Sequence, residues 1–170
     1  MPRLLLLTDT LCTRCGLCCD GTLFGDVELT GPREAARLEA LGLDVDADDA
    51  DVELLSLPCR GLRGTRCSVY LHRPQCCRTF ECQLLQAATR GDVAVDDALA
   101  RIAGAKAQVQ RVKRLLAGME PRRGHRLPLQ ERVADAVAEA PRSPAGRRRK
   151  AALDAAVATL RHTIRTTFLE

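Results

Sequence analysis

Apolar residues recur at helical spacing in three stretches of the second half of the chain. The stripes are Leu99, Ile102, Val109, Val112 and Leu116, then Leu129, Val133, Val137 and Ala140, then Leu153, Val157, Leu160, Ile164 and Phe168. Residues three or four positions apart lie on one face of a helix, so each stripe predicts an amphipathic helix. Asp96 is placed to cap the first helix. The connecting segments, residues 118–126 and 140–146, are rich in Pro, Gly and Arg. The second half is therefore predicted to be a helical extension of two or three helices.

The first half has a weaker apolar periodicity and is richer in loops. One helix is predicted to begin after a Gly31 cap, with Pro32 in its first turn, and to end at Gly42. Its apolar face is formed by Ala35, Leu38 and Leu41. A short strand is predicted at residues 27–29, and a short helix near residues 80–89.

An acidic run separates the parts of the first half. Residues 44–53 contain five Asp and one Glu, which predicts a solvated loop. The run lacks the Asp-x-Asp-x-Asp-Gly spacing of a calcium loop, so no cation site is predicted there. The predicted fold class is mainly α. A small, loop-rich cysteine-cluster domain occupies residues 1–90, and the helical extension occupies residues 91–170.

Composition and charge divide the chain at the same place. All nine cysteines lie in residues 1–90, which carry 10 basic and 13 acidic side chains, a net −3. Residues 91–170 carry 16 basic and 9 acidic side chains, a net +7. Aromatic residues make up only 2 %, with no Trp, so the core must consist of Leu, Ala and Val. Metal ligation would stabilise such a lightly packed region.

The sequence predicts neither a secretion signal nor a membrane span. The four leucines at residues 4–7 are fewer than a signal-peptide apolar region requires. No apolar run approaches the ~18 residues of a membrane helix. We therefore expect a cytoplasmic protein without a membrane partner. In that reducing compartment, clustered cysteines favour metal or redox chemistry over a disulfide framework.

The cysteines form two dense clusters with one cysteine between them. The first cluster is Cys12-x2-Cys15-x2-Cys18-Cys19, the second is Cys67, Cys76, Cys77 and Cys82, and Cys59 stands between the two. The Cys-x2-Cys-x2-Cys spacing is typical of a loop around a [4Fe–4S] cluster, with a fourth thiolate from elsewhere. Structural zinc more often uses paired Cys-x2-Cys knuckles. Gly16 permits the tight turn that such a loop needs. Because Cys19 adjoins Cys18, its side chain is expected to point away, to a second centre or as a free thiol.

The joint pattern resembles the YkgJ-type CxxCxxCC cysteine-cluster family, whose members are described as chelating zinc or iron. The matching segments are the first cluster, Cys59 after Leu57-Pro58, and Cys67-x2-Tyr70-x2-Arg73-Pro74-x2-Cys77-Arg78-x-Phe80-x-Cys82. The resemblance implies metal binding by eight cysteines, namely Cys12, Cys15, Cys18, Cys19, Cys59, Cys67, Cys77 and Cys82. Eight thiolates suffice for two four-thiolate centres. Cys76 departs from the family pattern and is interpreted as a free or buried thiol.

Several residues of the resemblance are expected to surround the metal rather than bind it. Tyr70, Arg73 and Arg78 lie within the second cluster, where cations offset the charge of thiolates and raise a reduction potential. Ordinary ion pairing is the alternative explanation of the two arginines. Phe24 and Phe80 are expected to shield the site from water.

The histidines and a basic run complete the candidates. His72 is interpreted as an exposed loop residue because no second His is close in sequence, and His125 and His162 as structural or surface residues. The run Arg-Arg-Arg-Lys at residues 147–150 opens the last predicted helix, where cations oppose the helix dipole. Nucleic acid would explain the run, but interleaved aromatics and a recognition motif are lacking, so this partner is disfavoured. A protein-docking surface is the other alternative.

Two main hypotheses for function follow. The first is an iron–sulfur protein, with a [4Fe–4S] cluster favoured over zinc, that serves electron transfer to a protein partner or another redox or transfer reaction. The second is a structural zinc module whose basic helical half binds a partner. A thiol redox sensor is a third hypothesis. No carboxylate pair, nucleophile–base pair or phosphate loop stands out, so enzyme activity, substrate and oligomeric state stay open.

Overall fold

The computed structural model describes residues 7–48, 50–119, 127–138, 141 and 143–170. Helices dominate this part of the chain and its strands are short, which confirms the predicted mainly α fold class. Among the described helices, none combines the length and the apolar character needed to cross a membrane. The predicted domain boundary near residue 90 falls between two helices and stays a prediction.

The helices and strands follow one another along the chain as follows. The helices are α1, a π-helical turn Thr8–Cys12 continued by Thr13–Cys15, then α2 (Pro32–Ala40), α3 (Gln75–Thr79), α4 (Gln83–Arg90), α5 (Val95–Leu116), α6 (Leu129–Ala138) and α7 (Pro144–Ile164). A π-helical turn, Arg165–Leu169, extends α7, and a 3-10 turn, Tyr70–His72, precedes α3. The strands are β1 (Asp26–Glu28), β2 (Val45–Ala47), β3 (Glu53–Ser56), β4 (Leu62–Arg63) and β5 (Arg66–Cys67).

Helix α2 has the start that the sequence predicts but a different end to its apolar face. Gly31 precedes it and Pro32 occupies its first turn. Ala35 and Leu38 are buried, whereas Leu41 is 41 % exposed, so its predicted place on the apolar face is wrong. The helix ends at Ala40, and the chain turns so that Leu43, rather than Leu41, is buried.

A small antiparallel sheet lies beside α2, with β3 between β1 and β2. Leu55 of β3 pairs with Val27 on one side and Val45 on the other. The predicted loop at residues 44–53 is therefore partly wrong, because β2 lies within it and Glu53 begins β3. Asp48 forms the turn by accepting hydrogen bonds from the amides of Ala50 (2.9 Å) and Val52 (2.8 Å). Apolar residues at every second position outweigh the acidic composition here.

The stripes of the second half form α5, α6 and α7 as predicted, with differences at the ends. Helix α5 begins at Val95 after an Ala94 cap, so Asp96 lies in the first turn and the prediction that it caps the helix is wrong. Its charge there still favours the helix dipole. Ser143 caps α7 by accepting the Gly146 amide at 3.1 Å. The predicted stripe residue Ala140, most of the connecting segment 118–126 and Arg142 of the second connecting segment lie outside the described residues.

The short helix predicted near residues 80–89 is α4, and a further short helix, α3, precedes it at Gln75–Thr79. Phe80 ends α3 in an extended conformation, and Cys82 precedes α4, also extended. The break at residues 80–82 re-aims the chain between the two helices. It also frees the first amides of α4, which matters for the sulfur chemistry described below.

Two apolar clusters form the core. The larger joins α1 to the helices from α4 onward, with Leu116 and Leu153 fully buried and Phe168 closing its C-terminal end. The smaller lies between α2 and the three-stranded sheet, around Leu38 and Leu55. Three cysteines pack against the larger cluster and two against the smaller: Cys15, Cys18 and Cys82, then Cys59 and Cys76. The cysteines are thus divided between the two clusters.

Candidate metal centre

Gly16 forms the turn that separates the cysteines of the first motif. Its φ of +75° is in the left-handed region that favours glycine. Its carbonyl accepts the amides of Cys19 (3.0 Å) and Asp20 (3.1 Å). A Cβ at Gly16 would lie 3.2 Å from the Cα of Thr65, so the turn rests directly on the β4–β5 hairpin. The expected tight glycine turn is confirmed.

Cys82 lies with the first three cysteines although more than sixty residues separate them. We call Cys12, Cys15, Cys18 and Cys82 the first tetrad. Burial raises the pKa of Cys12 to about 11 and of Cys15 to about 12, and the Cys82 thiol adds to both shifts. Burial also raises the pKa of Cys18, with Cys15 and Cys82 the next causes. Because Cys82 contributes to the raised pKa of each of the other three thiols, it lies near the loop that carries them.

The other four family cysteines form a second group, the second tetrad: Cys19, Cys59, Cys67 and Cys77. The Cys59 amide donates to the Cys19 carbonyl at 2.8 Å, which links the first loop to the segment before the hairpin. Burial raises the pKa of Cys19 to about 12, followed by the effects of Cys59 and Cys67. The pKa of Cys77 is raised by its hydrogen bond with Cys76 and by burial, and further by Cys19 and Cys59.

The two tetrads adjoin each other at Cys18 and Cys19. For each of these adjacent residues the two leading thiol contributions to the pKa come from its own tetrad, but Cys19 contributes more to the pKa of Cys18 than Cys12 does. Within the described part of the chain, however, no three Cys, His, Asp or Glu side chains are close enough to hold one ion as they stand. The thiols are therefore neighbours in two groups, and binding an ion would require side-chain rotation.

Backbone amides point at sulfur atoms in both tetrads. The amides of Leu84 and Leu85, in the first turn of α4, donate to Cys82, and the Leu17 amide donates to Cys15. In the second tetrad the Gly61 amide donates to the Cys59 sulfur at 3.3 Å. Such hydrogen bonds lower a thiol pKa and favour the thiolate, which is the form that binds metal. Without a bound cation, burial outweighs them.

Arg73 is the cation that reaches both tetrads. Its guanidinium lies 3.7 Å from the centre of the Tyr70 ring, which is 40 % exposed. It lowers the pKa of Cys12, and it donates to the Cys77 carbonyl at 3.5 Å. Arg78 supports this loop by donating to the carbonyls of Arg73 (2.8 Å) and Leu71 (3.0 Å). Tyr70 and Arg78 thus contact Arg73 and its loop, and Arg73 in turn lowers the pKa of the Cys12 thiol.

Phe24 and Phe80 form an edge-to-face pair near the break between α3 and α4. Their ring centres are 5.2 Å apart and the rings are nearly perpendicular, at 87°. Phe24 packs against the larger apolar cluster, while Phe80 is 39 % exposed. The pair therefore covers one side of the segment that leads into Cys82 and leaves its outer face in water.

Two lysines lie near the first loop although the sequence pattern did not predict them there. Lys106 lowers the pKa of Cys15 and donates to the Arg14 carbonyl at 2.8 Å. Lys113 pairs with Asp20 at 3.3 Å. Both lie on α5, seven residues and two turns apart, so they share one face. Their seven-residue spacing within a predicted helix was the signal that could have placed them together, because it puts two residues on the same face.

Cys76, the histidines and the basic run at residues 147–150 belong to neither tetrad. Cys76 packs against the smaller apolar cluster, and a hydrogen bond with Cys77 lowers its pKa to about 7. His72 and His162 are exposed, and His125 lies outside the described residues. The basic run lies in the first turns of α7, where Arg149 donates to the Gly118 carbonyl at 2.8 Å and Lys150 pairs with Asp154 at 3.7 Å.

Comparisons with known proteins identify the first half of the chain. No curated protein and no solved structure matches the chain. A family model described as "CxxCxxCC: Putative zinc- or iron-chelating domain" matches residues 11–100, more than half of the chain and all nine cysteines. The chain therefore belongs to the CxxCxxCC family, and metal chelation is the property that this family describes.

Proposed function

We propose that the eight family cysteines form two four-thiolate metal centres and that the first tetrad holds a [4Fe–4S] cluster. The observation that carries this proposal is the position of Cys82. Three thiols from one continuous loop are joined by a fourth at the start of a distant helix. This is the division of ligands that cysteine loops around a cubane cluster use.

The chemistry of the donor set fits this proposal. Soft thiolates select iron–sulfur clusters and zinc over hard cations. Burial and mutual repulsion keep the thiols protonated when no cation is near, so binding must release protons. Small rotations about the side-chain bonds would then bring each tetrad together. Because Cys19 belongs with Cys59 and Cys67, the doublet Cys18-Cys19 would join the two centres.

Residues around the first tetrad suit a redox centre. A bound cluster of this kind supplies one-electron transfer. Arg73 and Lys106 place positive charge near Cys12 and Cys15, which favours the reduced, more negative state. The amides that donate to Cys82 act in the same direction. Tyr70 and Arg78 are proposed to serve by positioning Arg73.

The first tetrad is also accessible to a partner. Cys12 is exposed on one side, and Tyr70 and Phe80 are partly exposed beside this region. Electron exchange with another protein requires such a short path from the centre to the surface. We therefore propose electron transfer to a protein partner.

A structural zinc module is the second candidate, and the second tetrad favours it. Cys67 lies on the β4–β5 hairpin, opposite Leu62, and Cys59 directly precedes this hairpin. The Gly61 amide donates to the Cys59 sulfur, as in a metal-binding knuckle. A zinc ion held here would fasten the hairpin to the first loop. The basic helical half would then provide the surface for a partner.

Anaerobic purification and metal analysis test the proposal. The protein is expected to be brown, to absorb at about 400 nm and to contain close to four iron atoms per chain if the first tetrad holds a cubane. Cys82→Ser should lose this absorbance. Cys76→Ser is the matched control, because it makes the same substitution in the same segment outside both tetrads, and it should retain the absorbance.

The outcomes separate the two candidates. Colourless protein with stoichiometric zinc, even after anaerobic reconstitution with iron and sulfide, would establish the zinc module and exclude the cluster. Loss of the absorbance in Cys76→Ser together with its retention in Cys82→Ser would show that the tetrads are assigned incorrectly.

A further inference from the structure

A cavity separate from the thiols lies where α5, α6 and α7 meet the loop that follows the first cysteine motif. Its volume is about 220 Å³. The walls are mainly apolar and include Leu23, Val112, Leu129, Val133 and Leu160. An apolar cavity of this size in a chain of 170 residues is large enough to bind a small molecule rather than only a water.

Thr22 is the most deeply buried polar residue among those that line the cavity. It lines the cavity, its residue surface is only 1 % exposed, and its hydroxyl has no hydrogen-bond partner within the described structure. Its amide is satisfied by the Asp20 carboxylate at 3.0 Å. The hydroxyl itself has almost no accessible surface, so it lies behind the cavity wall and out of reach of a ligand in the cavity.

Two arginines line the same cavity on its solvent side. Arg161 and Arg165 lie four residues apart, so they share one face of α7 and its π-helical extension. Both are exposed. Arg165 contacts the Glu170 carboxylate at 3.5 Å, an exposed pair that water screens strongly. The cavity therefore has apolar walls and a cationic entrance.

We propose that this cavity binds a small aliphatic monocarboxylate. The hydrocarbon chain would lie against the apolar walls, and the carboxylate would pair with Arg161 and Arg165 at the entrance. An apolar cavity of ~150 Å³ holds benzene, with six carbon atoms, so in proportion 220 Å³ holds about nine non-hydrogen atoms. Hexanoate, with eight, fits this limit. The proposal is independent of which metal the thiols bind.

Calorimetric titration of the full chain, with its metal content as purified, tests this assignment with hexanoate as the probe. Affinity is expected to rise about fourfold for each CH2 added to acetate, as far as hexanoate or heptanoate, and then to stop rising because the cavity is full. Hexylammonium, with the same chain and the opposite charge, should bind at least tenfold more weakly than hexanoate.

Three variants locate the carboxylate. Thr22→Val preserves the shape and removes only a hydroxyl that lies behind the cavity wall, so it should leave hexanoate binding unchanged. The double variant Arg161→Gln, Arg165→Gln should weaken it at least tenfold. Arg147→Gln, on the same helix but outside the cavity, is the control and should bind as the unaltered protein does. Metal content should be unchanged in every variant.

Several results would overturn the proposal. These are the absence of hexanoate binding at millimolar concentration, equal affinity for hexylammonium, and affinity that continues to rise to decanoate. Unaltered binding by the double arginine variant would also overturn it. If Thr22→Val does not fold, the arginine variants and the chain-length series decide the matter without it.

Discussion

Replacing Gly16 by alanine tests how closely the first cysteine loop rests on the β4–β5 hairpin. The added methyl group would lie 3.2 Å from the Cα of Thr65 and 3.4 Å from its Cβ. Thr65 cannot easily move away from the loop, because its hydroxyl donates a hydrogen bond to the carbonyl of Thr13 in that same loop. The substitution therefore acts where the loop of the first tetrad meets the hairpin that carries Cys67.

Two costs add in this variant. A residue with a Cβ in the left-handed region costs about 1–2 kcal/mol relative to glycine. Overpacking against a backbone carbon costs about 1 kcal/mol more, at the low end of such values. We expect the free energy of unfolding to fall by about 2–3 kcal/mol in total. Metal occupancy should fall with it, because the turn also places Cys18 and Cys19.

Two other glycines separate these costs in urea-unfolding measurements. Gly42 has a φ of +79° and nothing within 4 Å of an added Cβ, so Gly42→Ala should show the strain alone, about 1–2 kcal/mol. Gly104 lies within α5 with equally open space, so Gly104→Ala should stabilise the protein by about 0.5–1 kcal/mol. Neither should alter metal occupancy. If Gly16→Ala is no more destabilising than Gly42→Ala, the close contact with Thr65 is wrong.

Three further predictions concern single side chains. Burial raises the pKa of Glu34, but hydrogen bonds, among them one from the Gln75 amide at 2.9 Å, outweigh it and lower the pKa. Glu34→Gln should therefore lose about 1 kcal/mol in urea unfolding at pH 7, and this loss should disappear as the pH falls through the folded-state pKa, below about 4.5. Arg73→Gln should lower the reduction potential of the first tetrad's cluster by roughly 40 mV in voltammetry, since a surface charge is worth roughly 1 kcal/mol; an unchanged potential would remove Arg73 from this role. Ser143→Ala should lose about 1 kcal/mol in thermal unfolding because α7 loses its cap, and an unchanged Tm would contradict that cap.

The helices of the second half were the most predictable part of the fold. Their apolar stripes are local patterns, and the buried residues Ile102, Val109 and Leu153 lie where the 3.6-residue period puts them. The exact starts were less predictable, since α5 uses Ala94 as its cap although Asp96 has the better capping side chain. Helix ends depend on how the whole element packs, which local propensity does not contain.

Which cysteines lie near one another could not be predicted from the sequence. The family resemblance implied eight metal-binding cysteines, and the adjacency of Cys18 and Cys19 suggested that their side chains point different ways. The sequence gave no reason to expect Cys82, rather than Cys59 or Cys67, beside the first loop. That choice follows from the break after Phe80 and from the packing of α4 on the larger apolar cluster. Long-range packing of this kind leaves no periodic signal in the sequence.

In the acidic segment, residues 44–53, the sequence did contain the right signal, but the prediction relied on a different one. Its composition predicts a loop, yet Val45 and Val52 alternate with charged residues in a way that suits a half-buried hairpin. Asp48 completes the turn through its own side chain, a usual role of aspartate in turns. Charge content alone therefore gave a misleading prediction where alternation held the better information.

The adjacent residues Cys18 and Cys19 are proposed to belong to two different metal centres. Metal and sulfide content per chain, measured in anaerobically prepared Cys18→Ser and Cys19→Ser, tests this assignment. Cys18→Ser is expected to lose the cluster of the first tetrad and to keep the other metal, whereas Cys19→Ser should lose the metal of the second tetrad and keep the cluster absorbance. Loss of the same metal in both variants would contradict it.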